Sequence, residues 1–258
     1  MDCGEGMNIK WNADKYEKGF SFVHRYGEAV LDMIDLPEGS RMIDLGCGNG
    51  ALTGKLAEKG YDVIGIDDSA EMLQLAEKLN PGIAFQKGDA RNFDVDKKAV
   101  GIFSNAVFHW IDDSDQDRML ENIYAQLVDG GELVCEFGGY GCAETVHLAL
   151  ERSFQNRGFN YPRVFYFPTI GEYAPRLEKA GFQVEEAFLF DRPTPQDGAD
   201  GLKNWITMFC KKPFERIDES DAEDIVREAV ESCRADLYHD GQWYVDYVRI
   251  RIKARKRG

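Results

Sequence analysis

From Ser40 to about Phe137, short runs rich in apolar and β-branched residues alternate with longer stretches whose apolar positions recur at helical spacing. The runs Arg41–Leu45, Tyr61–Asp67, Ile83–Lys87, Val100–Asn105 and Glu132–Phe137 read as strands. The stretches at Ala51–Lys59, Ala70–Leu79 and Asp115–Val128 read as helices. Strands separated by helices of this length form βαβ units and pair in parallel. Ser69 stands where an N-cap belongs, just ahead of Met72, Leu73 and Ala76. Asp129-Gly130-Gly131 is expected to end the helix before it.

The flanks are less regular. Ala13–Leu36 reads as one or two helices ended by Pro37-Glu38-Gly39. Thr169-Ile-Gly-Glu172 has the spacing of a capping box, opening a helix over Tyr173–Ala180 that Gly181 closes. Phe182–Phe190 reads as a strand, Pro193–Asp200 as a loop, Gly201–Lys211 and Ala222–Leu237 as helices, and Gln242–Ile252 as a closing strand. Two helices inserted between the last strands do not fit a regular βαβ crossover, and they are expected to cap a site.

Charge narrows the partners. The 258 residues carry 31 Lys and Arg against 46 Asp and Glu, a formal charge of −15. Binding a nucleic-acid backbone needs a basic face, so this balance argues against one. The run of basic residues from Arg249 to Arg257 is expected to guard an exposed edge strand; the alternative is a nucleic-acid-binding arm. No stretch approaches the roughly 20 apolar residues of a membrane span. The start MDCGEGMNIKW is neither basic nor apolar enough for a signal peptide, so a cytoplasmic protein is expected. Cys3, Cys47, Cys135, Cys142, Cys210 and Cys233 form no CxxC pair, which predicts reduced, buried thiols and no metal site.

The chemistry concentrates at Met42-Ile-Asp44-Leu-Gly46-Cys47-Gly48-Asn-Gly50, where a strand runs through a glycine loop into a helix. Glycines allow a sharp turn and close approach of a ligand to the backbone. The second strand ends at Asp67, 19 residues after Gly48, where a carboxylate can accept from ribose hydroxyls. The third ends at Gly88-Asp89-Ala90, at the same sheet edge. A nicotinamide dinucleotide competes for such a loop. Its GxGxxG fingerprint does not match, however, and Asp44 would oppose a diphosphate. An acid there suits a ligand bearing an ammonium and a sulfonium, such as S-adenosylmethionine.

These segments, with Asp68-Ser69-Ala-Glu-Met72-Leu73 and Asp129-Gly-Gly131, resemble in order the motifs of the class I S-adenosylmethionine-dependent methyltransferases over roughly residues 40–137. Trp11-Asn-Ala-Asp-Lys-Tyr16, Ser104-Asn105-Ala-Val-Phe-His109-Trp110 and Leu202-Lys-Asn-Trp205 are similar to the trans-aconitate methyltransferase branch. Where that branch often has Gln, this chain has His109. The resemblance implies an α/β, Rossmann-like, doubly wound sheet of seven strands, mostly parallel with the last antiparallel. It implies a single domain over 1–258: a helical lid at 1–39, a cofactor-binding core at 40–140, and a substrate-side half at 141–258 capped at about 197–238.

Carried over residue by residue, the resemblance implies that Gly46, Cys47 and Gly48 pass along the methionine part of the cofactor, with Asp44 orienting the loop or its ammonium. Asp67, with Asp68 and Ser69 beside it, would hold the ribose. Asp89 and the Ala90 amide would meet adenine, and Asn105 would border the methyl group. Trp11 and Tyr16 would belong to the lid, while Trp110 and Trp205 would wall the substrate. His109 is the candidate catalytic residue, as a base toward a hydroxyl or a donor toward a carboxylate. The expected reaction is carboxyl O-methylation of a small organic acid by a monomer or homodimer. The alternatives are methylation of a hydroxyl or amine, or a binding module without chemistry. An anionic substrate would need a nearby cation, for which Arg163, Arg176 and His109 are the candidates.

Overall fold

A computed structural model describes residues 29–258. Its elements run β1 Arg41–Leu45, α1 Ala51–Glu58, β2 Asp62–Asp67, α2 Ala70–Leu79, β3 Ala84–Lys87, β4 Ala99–Asn105, α3 Gln116–Gln126, β5 Leu127–Gly138, α4 Glu144–Gln155, α5 Ile170–Lys179, β6 Phe182–Gln196, α6 Gly201–Phe209, α7 Lys211–Phe214, α8 Glu219–Leu237, β7 Tyr238–His239 and β8 Gln242–Lys256. The sheet order is β3-β2-β1-β4-β5-β8-β6, with β7 hairpinned onto β8. The first five strands pair in parallel; β8 is antiparallel to both β5 and β6. The expected doubly wound sheet is therefore present, with eight strands rather than seven because the two-residue β7 joins it.

The predicted helix signals act as expected. Ser69 Oγ accepts the Met72 amide at 3.3 Å, and Thr169 and Glu172 complete a reciprocal capping box. Strand β1 alternates its side chains between two cores: Ile43 and Leu45 pack with α3 and α5, while Met42 packs with α1 and residues 30–31. A third apolar cluster joins α4, α6 and α8 to Trp110 and to Trp243 and Val245 of β8. Helix α4 falls in a region for which the sequence predicted no element. Among the described residues, no helix is long and apolar enough to cross a membrane.

Three expectations need correction. The helix before Asp129 stops at Gln126, and Leu127 already pairs with Ala99. The glycine pair instead lies in a register irregularity within β5, with Gly130 at φ +76°, after which Gly101 pairs with Glu132. The expected Pro193–Asp200 loop is largely strand, because β6 continues to Gln196. It is an edge strand paired only with β8, where prolines 193 and 195 can turn their missing N–H to the open side.

The basic tail guards no edge. Strand β8 lies between β5 and β6, and Arg249, Lys253 and Lys256 are buried. Lys256 donates from Nζ to the Tyr124 and Leu127 carbonyls at the end of α3. Arg249, Arg251 and Arg192 of β6 converge on Glu136, which is fully enclosed in β5. Burial alone would raise the Glu136 carboxyl; the three guanidiniums hold it below the usual carboxylate range. Leaving either partner uncompensated there would cost about 3–5 kcal/mol, so the tail's charges serve the interior.

Candidate active site

The carboxyl ends of β1, β2, β3 and β4 meet where the strand order reverses, the place open α/β sheets use for ligands. There the glycine loop is pinned to β2: the Gly46 and Cys47 amides both donate to the Ile66 carbonyl, at 2.7 and 3.1 Å. Asp67 closes the loop from the other side, with Oδ2 accepting the Gly48 amide and Oδ1 the Ser69 amide, each at 2.9 Å. The resulting open cleft is lined by Gly46, Asp67, Asp68, Asp89 and Ala90, together with Val107. Asp44 and Cys47 are buried in the adjoining end of β1 and the glycine loop, and burial pushes the Cys47 thiol up. Gly48 has φ +54°, and a Cβ there would meet only Met72 Cε at 3.4 Å, leaving a bare backbone stretch beside the cleft.

Two acids at the ends of β1 and β2 are held in an unusual state. Burial raises Asp44 to about 7 against the Thr53 hydroxyl that donates to it at 2.6 Å. Burial likewise raises Asp67 to about 6, against the Ser69 and Gly48 amides. Each is raised above its unfolded value, so its stabilising contribution is complete below about pH 4 and is lost as pH rises through 6–7. A cationic ligand favours the ionised forms and reverses part of that loss. S-adenosylmethionine binding should therefore release protons near pH 6–7 and weaken as pH falls from 8 to 5. Calorimetry in buffers of different ionisation enthalpy measures the proton count; proton uptake, or none, would remove both acids from contact with the ligand.

Asp89 lines the cleft with its carboxylate already engaged. Both its oxygens accept from Arg91, which also reaches Asp115 at 2.7 Å. Against the raising effect of burial, Arg91 holds the Asp89 carboxyl below its usual range. An adenine amino group would share this carboxylate with Arg91, and Ala90 lines the same wall.

Strand β4 ends in a strained corner. Asn105 Oδ1 is buried without a hydrogen-bond partner, and Ala106 follows at φ +63° with its amide donated to the Glu136 carbonyl at 2.7 Å. A non-glycine residue in this region costs of order 1–3 kcal/mol and marks an over-determined turn. Val107 then packs on the glycine loop so closely that a Cβ on Gly46 would lie 2.2 Å from its Cγ2. The unmet acceptor of Asn105, the bare glycine backbone and the raised acids form a cradle that fits a ligand with an amino-acid ammonium. S-adenosylmethionine meets that description.

Beyond the corner, Phe108–Trp110 form a single turn of 3₁₀ helix. His109 is buried, and its Nδ1 accepts the Gly138 amide at 3.2 Å. Desolvation, then Arg249, lowers its pKa well below the usual value, so the ring is neutral. With Nδ1 accepting, the proton resides on Nε2, which makes that nitrogen a donor. Trp110 lies 4.8 Å from Phe165 and 6.0 Å from Phe209, while Trp205 donates its indole N–H to the Tyr247 hydroxyl at 2.6 Å. Both tryptophans are buried within an aromatic cluster.

Sequence reasoning missed several members of this neighbourhood. His147 of α4 is buried, with Nδ1 2.8 Å from the Tyr161 hydroxyl and Nε2 unpartnered. Phe165 and Phe167 stack on one another between the two histidines. The string Phe165-Tyr166-Phe167 was the available signal. Arg163 and Arg176 do not supply the expected cation: Arg163 is forked to Glu144 and Glu151, and Arg176 to Asp113 and Asp117. Trp11 and Tyr16 lie outside the described residues.

Residues 42–131 match the methyltransferase domain family. The chain is 34% identical to an uncharacterised methyltransferase of Bacillus cytotoxicus, over 63% of this chain and 78% of that protein. It is 28% identical to an uncharacterised methyltransferase of Schizosaccharomyces pombe, over 95% and 98%. It is 34% identical to a trans-aconitate 2-methyltransferase of Rhizobium etli, over 56% of each. The fold also matches an S-adenosylmethionine-dependent methyltransferase from Mesorhizobium loti, with a TM-score of 0.53 and 18% identity over 89% of this chain and 96% of that one. The glycine loop, the acid after β2 and the corner after β4 thus stand in a matched catalytic domain, and the chain belongs to the class I S-adenosylmethionine-dependent methyltransferases.

Proposed function

We propose that this methyltransferase acts on a small organic acid, transferring the methyl group to a carboxylate oxygen. The observation that carries this reading is the state of His109. Its neutral ring spends Nδ1 on the Gly138 amide, so it cannot take a proton at Nε2 without exchanging tautomers. A hydroxyl acceptor needs a base; a carboxylate, with a reference pKa near 4, does not. The trans-aconitate 2-methyltransferase relative supports an acid as acceptor.

Bound S-adenosylmethionine supplies a methyl group on a sulfonium, which departs as a neutral thioether. The chain's own work is then alignment and exclusion of water, worth on the order of 7–11 kcal/mol when geometry is well held. Asn105 and the strained Ala106 place one wall at the end of β4. His109 donates from Nε2 toward the acceptor, and the Trp110–Trp205 aromatic cluster forms the dry side. In this reading the helices at about 197–238 serve as the cap of the site.

The test is product analysis with labelled S-adenosylmethionine and a panel of acids, including trans-aconitate, citrate and glutarate. A methyl ester is released by mild alkali, whereas an ether or N-methyl product is not. At saturating S-adenosylmethionine the rate should be flat from about pH 6 to 9, because His109 stays neutral throughout. His109→Gln, which keeps a donor near the Nε2 position, should retain the rate within about tenfold. A 10²–10⁴-fold loss in this variant with alkali-stable product would replace the acid by a hydroxyl acceptor.

A further inference from the structure

We propose that Arg249, anchored by Glu136 at the sheet edge beside Asn105, binds the carboxylate of the acceptor. This rests on the acid reading above and names the residue that would recognise the anion.

Register puts the relevant groups on one face of the sheet. Asn105 of β4 pairs with Glu136 of β5, Glu136 with Arg251 of β8, and Gly138 with Arg249. Adjacent strands lie about 4.8 Å apart, so the row from Asn105 through Glu136 reaches Arg251 in two steps, and Arg249 lies two residues along β8 on the same face. Gly138 ties the row to His109 by donating its amide to Nδ1. Phe167 covers this point, since a Cβ on Gly138 would lie 2.3 Å from its Cε1. Arg249 thus stands across from Gly138, which holds the ring of His109, and on the same face of the sheet as Asn105.

Three guanidiniums contact the one Glu136 carboxylate, and Arg249 makes the longest of the three contacts. Arg192 forks onto Glu136 with both terminal nitrogens, at 2.6 and 2.8 Å, and Arg251 contacts it through Nε and Nη2. Arg249 uses only Nε, at 3.3 Å. Its Nη1 and Nη2 donate to no group among the described residues, although the residue is only 7% exposed. A buried cation with its fork unused is costly unless an anion completes it. A carboxylate is the matching shape, and the acceptor is the anion that enters here.

The test compares Arg249→Met and Arg249→Lys with wild type. Glu136 keeps Arg192 and Arg251 in both variants, so its charge remains compensated. With the acid found active, Arg249→Met should raise KM about 10–100-fold while the S-adenosylhomocysteine affinity stays within threefold. Lysine, a cation without the fork, should recover part of that loss. In calorimetry with S-adenosylhomocysteine present, wild type should bind citrate more tightly than its uncharged trimethyl ester, and Arg249→Met should lose that preference. An unchanged KM and citrate preference in folded Arg249→Met would overturn the proposal, as would a parallel fall in S-adenosylhomocysteine affinity, which marks a structural role. If the methionine variant does not fold, the lysine variant alone decides by its KM and its citrate affinity. An alkali-stable product overturns the acid reading by itself. An ester product with unchanged KM overturns only the role of Arg249.

Discussion

Asp67→Ala should raise the dissociation constant of S-adenosylhomocysteine at least about 100-fold while the chain still folds. The carboxylate has two tasks. It holds the glycine loop through the Gly48 amide and the start of α2 through the Ser69 amide, and its remaining lone pairs face the cleft where a ribose would lie. Hydrogen bonds to a charged group contribute about 1.5–3 kcal/mol each, so two ribose bonds together exceed a factor of 100. Stability should move less than affinity. Two amides lose their acceptor, but a carboxylate that burial pushes up to about 6 is also removed. Asp67→Asn, which keeps one acceptor oxygen, should fall between alanine and wild type. Titration calorimetry reads the affinity and thermal unfolding reads the stability; wild-type affinity in a folded Asp67→Ala would remove the residue from the site.

The second large effect separates two glycines two positions apart in the same loop. Gly46→Ala places a Cβ 2.2 Å from Val107 Cγ2 in a residue at φ +74°. Left-handed backbone costs about 1–2 kcal/mol for a residue with a Cβ, and overpacking adds about 1–3 kcal/mol. A fall in Tm of roughly 5–15 °C follows for a chain of this length. Val107 belongs to the corner that carries Asn105 and His109, so kcat should fall with it. Gly48→Val meets only Met72 Cε at 3.4 Å, so its steric cost within the protein is small. Its branched side chain would instead stand where the cofactor passes and resist φ +54°. That variant should be folded and unable to bind S-adenosylhomocysteine. Wild-type binding by a folded Gly48→Val would mean the ligand passes elsewhere.

The contrast between Asp67 and Arg249 shows what was legible before the structure. Asp67 was readable because its role is local: a strand ends, a fixed number of residues separates it from the glycine loop, and a capped helix follows. Ser69 and the Thr169–Glu172 box were readable for the same reason, as caps satisfy amides within three residues. The prolines of β6 misled because a proline's tolerance depends on which side of the strand is open, and that depends on the sheet order. The arginines of β8 misled likewise. Their alternation suits an exposed edge, yet β8 is inserted between β5 and β6 and turns the same alternation onto Glu136.

The sequence by itself determined the βαβ order, the parallel core, the glycine loop and the acids at the strand ends, because periodicity, capping and turn chemistry act over a few residues. It also determined that the loop suits a cationic ligand, since Asp44 precedes it. Only the tertiary structure decided the protonation of Asp44, Asp67 and His109, because desolvation depends on what packs around a group from distant parts of the chain. Only it brought His147 and the Phe165–Phe167 pair to His109, and Arg192 and Arg249 to Glu136, across separations that no local pattern encodes. Pairing between β5, β8 and β6 placed those charges, and long-range pairing is chosen by the burial of whole faces rather than by any one residue's neighbours.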